Sequence, residues 1–144
     1  MAEIEEVGEV TPEIIEALHR ILPQLNPRLP LPAADRLQRL IEDPDVTLVV
    51  ARDGGRIIGT TTVIVYTTPY WIKARLDEVV VDADARGKGV GEALVRYCLE
   101  VGRRKGAQVV ELQSGRGEQR AAAHRLYKRI GFEVRNSDLF RLIL

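Results

Sequence analysis

Five residues near the middle of the chain have the types and spacing to hold an anion. In VVVDADARGKGVGEALVRY, residues 79–97, Gly87, Gly89 and Gly91 alternate with Lys88 and Val90, and Arg86 stands just before them. Glycine adopts backbone conformations that other residues resist, and three missing side chains let amide N–H groups point into one concavity. The residues that follow carry the apolar spacing of a helix, so these amides lie at the positive end of a helix dipole. Spacing excludes two familiar phosphate binders. In the dinucleotide pattern G-x-G-x-x-G the sixth position is Glu92 counted from Gly87 and Leu94 counted from Gly89, and no Gly-Lys-Ser/Thr occurs.

The elements around this loop follow from punctuation and period. Thr11 is an N-cap with Pro12 at the first helical position, and Ile14, Leu18, Ile21 and Leu22 form one apolar face that Pro23 ends. LPQLNPRLPLP has four prolines in eleven residues and reads as an extended loop. A short helix from Ala33 to Glu42 buries Leu37, Leu40 and Ile41. VTLVVAR, the turn DGG and RIIGTTTVIVY make a hairpin. RLDEVVV is the next strand, and the glycine loop carries it into a helix that runs to Lys105 with Gly106 as its cap. AQVVELQS follows as a strand. Strand, helix, strand is a crossover, so RLDEVVV and AQVVELQS should be parallel neighbours. A last helix spans GEQRAAAHRLYKRI, and FEVR and LFRLIL are expected to finish the sheet.

VVVDADARGKGVGEAL resembles the acetyl-CoA-binding motif of the GNAT (Gcn5-related N-acetyltransferase) superfamily, R/Q-x-x-G-x-G/A. Arg86, Gly89 and Gly91 fill its fixed positions, and Asp82 to Ala85 match the turn before it. AAAHRLYKRIGF is similar to the family's later motif, with Tyr127, Gly131 and Phe132 in place. The order helix, helix, hairpin, strand also matches, so the resemblance spans nearly all of the chain. It implies an α/β fold: a mixed, mostly antiparallel central sheet with one parallel, splayed strand pair, flanked by helices, in a single domain over residues 1–144. It also implies an N-acetyltransferase that moves an acetyl group from acetyl-CoA to a primary amine of a small molecule or peptide by direct attack in a ternary complex.

The same resemblance assigns roles. The pyrophosphate of coenzyme A would lie on the amides of Arg86, Gly87, Lys88, Gly89, Val90 and Gly91, with Glu92 closing the turn. The pantetheine arm would lie like an added strand along the backbone of Val79, Val80 and Val81. The strand ending at Gln113 and Ser114 would splay to admit the thioester, and Arg120, which stands where the family often has Asn, would lie near the cofactor. Tyr127, a phenol still protonated at neutral pH, would donate a proton to the leaving thiolate. Glu78 would relay the amine's proton through water, with Asp77 on the opposite face of the strand. Tyr66, Tyr70 and Trp71 cluster at a turn that flanks the acceptor cleft in such folds, and suit a partly apolar amine, a homodimer contact or simple packing. Two other readings stay open: a CoA-binding sensor without turnover, and an interaction module that uses the basic C-terminal half.

Composition narrows the partners. Residues 1–50 carry ten Asp/Glu against four Arg, whereas residues 101–135 carry nine Lys/Arg against three Glu, within a net charge of zero. That field suits an anionic ligand. Nucleic acid is not expected, because no aromatic residues interleave with the basic ones. One cysteine, Cys98, on the apolar side of its helix, and two histidines, His19 and His124, without ligand partners at metal spacing, predict no disulfide and no metal site. No continuous apolar run reaches membrane-spanning length, and the acidic N-terminus has no apolar targeting core. A reducing cytoplasm is the expected location.

Overall fold

The computed structural model describes residues 2–144. Its five-stranded sheet has the order β1 (Glu3–Glu6), β2 (Val46–Asp53), β3 (Arg56–Thr67), β4 (Ile72–Val81) and β5 (Val109–Leu112). The first three pairings are antiparallel and β4–β5 is parallel, as the crossover requires. The β2–β3 turn is Gly54-Gly55, with φ of 57° and 83°. Two successive positive φ values make the hairpin turn whose twist matches its strands.

Helices cover both faces of the sheet. In α1 (Pro12–Ile21) the Thr11 hydroxyl accepts the Ile14 N–H at 3.2 Å, and Ile14, Ala17, Leu18 and Ile21 are buried. With Leu37 of α2 (Ala34–Glu42) they pack on Leu48 and Val50 of β2, Ile57 of β3 and Val80 of β4. Alternation turns Val49 and Ala51 to the other face. There Gly59, paired with Ala51, lies beneath α3 (Val90–Arg104). A Cβ at Gly59 would sit 2.9 Å from Leu94 Cδ1 and 3.2 Å from the Val80 carbonyl oxygen, so only glycine lets the helix settle this close.

Two features depart from the sequence reading. β1 is a strand that EIEE does not announce, since one apolar residue in four gives no alternation. Partners hold it instead: Glu5 pairs with Arg52 at 2.9 Å, and Glu6 accepts from Tyr97 at 2.7 Å and from Arg104 at 3.0 Å. FEVR and LFRLIL, in contrast, form no strand among the described residues. A strand exists only through its ladder, and none of the five strands pairs with residues 132–144; Val134, Phe140, Leu142 and Ile143 are exposed.

Contacts divide the chain into two units, one ending at Gln113 and one from Ser114 to Leu144. In the second, a 3-10 turn (Glu118–Arg120) leads into α4 (Ala121–Ile130). Gly131, with φ of 123°, ends α4: its N–H reaches the Lys128 carbonyl at 3.1 Å, and the Phe132 N–H reaches the Tyr127 carbonyl at 2.9 Å. This is a Schellman closure, and the ring of Phe132 meets that of Tyr127 edge-on at 6.0 Å. The Tyr-x-x-x-Gly-Phe spacing is therefore a helix-ending device that also fixes the tyrosine ring.

Candidate active site

The site in the first unit starts where the β4–β5 ladder stops. Parallel pairing runs from Lys73↔Val109 to Leu76↔Leu112 and goes no further, while β4 continues to Val81. On its other side β4 pairs with β3 through Thr62↔Asp77 and then Thr60↔Val80, so Glu78 and Val79 share one partner position, a β-bulge. Thr61 Oγ1 pins the bulge by donating to the Asp77 carbonyl at 3.2 Å. Glu78 sits at φ 50°, the one positive value outside glycine among the described residues. A left-handed backbone at such a residue costs about 1–2 kcal/mol and persists only where its surroundings impose it. Among the described residues, Val79–Val81 pairs with no strand on the side where β5 pairs with residues 73–76.

That free stretch leads into the glycine loop. After a 3-10 turn (Ala83–Ala85), Gly87 and Gly89 take φ of 79° and 80°, and a Cβ at either would meet nothing within 4 Å. The left-handed backbone, and not crowding by neighbours, is what calls for glycine at these two positions. Gly89 is the N-cap of α3 and, having no side chain, gives the first-turn amides no capping oxygen of its own. Arg86, Lys88 and both glycines are exposed, and Arg86 Nε reaches back to the Val81 carbonyl at 3.3 Å. Glu92, in the first turn, accepts from Arg96 at 3.0 Å.

Glu78 has an exposed side chain, yet the protein around it pushes its carboxyl above the ordinary range. Desolvation contributes most and the Asp77 carboxylate adds to it, against Arg75. Arg75 in turn binds Asp77 at 3.2 Å and donates to Gln113. Glu78, Val79, Val80, Val81 and the loop Arg86–Glu92 therefore share one strand-to-helix passage.

Ser114, Arg120 and Tyr127 belong to the second unit. There, burial raises the Tyr127 phenol above its ordinary value, opposed by Arg120, so it is neutral at physiological pH. The Arg120 side chain lies against Gly115, at 3.6 Å from where its Cβ would be, and His124 Nε2 bonds the Gly115 carbonyl at 2.9 Å. His19 Nε2 bonds the Pro32 carbonyl at 2.7 Å and ties down the proline loop. Cys98 is buried, its thiol pushed up to about 12 by desolvation and by Glu6. Among the described residues no group of three His, Cys, Asp or Glu could hold a metal ion, and no helix is long and apolar enough to cross a membrane. The bulge at Glu78 is the site feature that sequence reading missed, because DEVVV looks like an uninterrupted strand.

A mixed sheet that opens beside a left-handed glycine loop is the architecture of N-acetyltransferases. Residues 11–132 match the acetyltransferase (GNAT) family, and the chain belongs to that family. An uncharacterized N-acetyltransferase of Methanocaldococcus jannaschii is 40% identical over 60 residues, which are 42% of this chain and 26% of that protein. The chain thus spans about a quarter of the length of the curated relative it matches. A putative acetyltransferase from Agrobacterium tumefaciens has the same fold at 24% identity, with a TM-score of 0.83 and 99% of each chain covered. So does an aminoglycoside acetyltransferase from an uncultured soil metagenomic sample, solved with sisomicin, at 19% identity and a TM-score of 0.83 over 99% of this chain and 97% of that one.

Proposed function

We propose that the chain, acting as one domain over residues 1–144, transfers an acetyl group from acetyl-CoA to the primary amine of a small molecule or peptide, and does so in the cytoplasm. The observation that carries the reading is the continuity of Val79–Val81 with the loop Arg86–Gly91: an unpartnered strand edge ending in an anion cradle. The loop amides, Arg86 and Lys88 would take the pyrophosphate, and the β4 edge would hold the extended arm by backbone hydrogen bonds. The thioester is then delivered to the bulge.

The chemistry needs three proton movements: one off the ammonium, one off the nitrogen of the tetrahedral centre and one onto the departing sulfur. Glu78 takes a proton from the ammonium through water, and its raised pKa makes it a better base near neutrality than an ordinary carboxylate. The free amine adds to the thioester carbonyl; the tetrahedral centre passes its second nitrogen proton to solvent and collapses, the C–S bond breaks, and Tyr127 protonates the departing thiolate and is reprotonated from water. Ser114 and Arg120 are assigned to the cofactor side by family likeness. Proximity and orientation supply roughly 7–11 kcal/mol of such a barrier, so holding the two substrates carries most of the rate.

Thiol release from acetyl-CoA tests this, with a panel of amino sugars, aminoglycosides, polyamines, aromatic amines and lysine peptides as acceptors. Amine-dependent release of CoA is expected with at least one class. Binding of acetyl-CoA without release across the panel favours a sensor, and no binding at millimolar concentration removes the donor assignment.

A further inference from the structure

Asp82, the residue that joins β4 to the glycine loop, is the one charged residue buried among those described, at 4% exposure. A buried carboxylate is strongly unfavourable unless paired and hydrogen-bonded, so its partners show what its burial achieves. Oδ2 accepts from Arg20 Nη1 of α1 at 2.7 Å, and the exposed Arg56 stands at 4.0 Å. Oδ1 accepts the Asp84 N–H at 3.2 Å and Gln24 Nε2 at 3.4 Å. The Gln24 side-chain oxygen in turn accepts the Ala83 N–H at 2.9 Å. Arg20 is itself fixed, donating through Nη2 to the Ile57 carbonyl at 2.9 Å and through Nε to Glu16 at 3.2 Å. Together these partners hold the Asp82 carboxyl below the ordinary range in spite of its burial.

A turn at this position needs only the local bond from Asp82 to the Asp84 amide. The bonds to Arg20 and Gln24 come from 62 and 58 residues away and grip the loop at its root. Beyond that root, Arg86–Gly89 is exposed and contains two left-handed glycines, and the bond from Arg86 Nε to the Val81 carbonyl at 3.3 Å holds only its first residue.

We propose that Arg20 and Gln24 are positioning residues: by clamping Asp82 and Ala83 they pre-order the loop Arg86–Gly91, and so set the affinity for the acyl-CoA donor. The affinity half rests on the function proposed above. A loop already ordered loses less conformational freedom on binding, which is how α1 and the turn that follows it would control donor affinity through the loop's root.

Hydrogen exchange of the loop amides in the ligand-free protein, with calorimetric titration of CoA, tests the clamp in Arg20→Met, Asp82→Asn and Gln24→Met. Loop exchange should speed about tenfold while amides in the middle of α3 keep their protection, and CoA should bind about tenfold more weakly. The acetyl-CoA KM should rise with kcat at saturating donor nearly unchanged, and Arg20→Lys should recover much of the loss. The double variant Arg20→Met/Asp82→Asn should be no worse than the weaker single, as expected for one shared interaction. Gln24→Met removes the Ala83 acceptor and the donor to Asp82 Oδ1 without changing any charge, and gives the answer if the charge variants fold poorly. Unchanged loop exchange in a folded variant overturns the clamp; a loosened loop with unchanged CoA affinity overturns its role in binding. A wild type that binds no CoA removes the donor reading and the affinity claim with it, while loop exchange still reports on the clamp.

Discussion

Glu78 combines a left-handed backbone with a carboxyl pushed above its ordinary range, and the two have separable consequences. A raised carboxylate pKa means that ionisation works against the fold: the group's contribution to stability is present below its unfolded pKa and lost as pH rises through the folded one. Glu78→Gln is therefore expected to match or exceed the wild type in thermal stability at neutral pH. The same variant should lose the acid limb of the kcat/KM profile, which in the wild type should lie above the pKa of about 4.3 of an unperturbed glutamate. An acid limb that survives the change assigns the base elsewhere. Burial keeps the Tyr127 phenol protonated, and the same upward shift makes it a weaker proton donor than an ordinary tyrosine. Tyr127→Phe should lower kcat roughly 10²-fold with little change in the acetyl-CoA KM, measured by steady-state thiol release. A fall confined to stability would leave the ring a packing partner of Phe132.

Elements position each of these residues within its own unit through close approaches that sequence pattern only partly reveals. Gly59 lets α3 lie on β3, and a methyl group there would press on Leu94 and, less yieldingly, on the Val80 carbonyl. Gly59→Ala should cost roughly 1–3 kcal/mol in chemical denaturation, as overpacking generally does. Gly131 was legible because it punctuates a periodic helix, and the glycine loop because its spacing conflicts with the dinucleotide and P-loop patterns. The bulge at Glu78 was not, because it arises from the register between β3 and β4, and no local residue choice in DEVVV signals it. β1 escaped for a related reason: its hold comes from Arg52, Tyr97 and Arg104, far off in sequence. FEVR and LFRLIL have strand composition, but composition supplies no partner, and these residues pair with no described strand.

At the scale of the whole molecule, charge placement makes the protein's response to acid readable. Asp82 is held below the ordinary range, so its ionised form stabilises the fold fully above an unfolded pKa of about 3.9 and progressively less as pH falls through the lower folded value. The difference in melting temperature between wild type and Asp82→Asn should be widest near neutral pH and close under acid conditions. A gap independent of pH would mean that Asp82 acts through shape and not charge. The open edge of β4 has a consequence of another kind, because it works as a ruler. From Val81 back to Glu78 is three residues, or roughly 10 Å at strand rise. A donor whose anion rests in the glycine loop can present its acyl carbon at the bulge only on an arm long enough to run along this edge. Acetyl phosphate, whose acyl group is bonded directly to its phosphate, is far too short, and should give no transfer to any amine that accepts from acetyl-CoA. Equal rates from the two donors would show that the distance between cradle and bulge measures nothing.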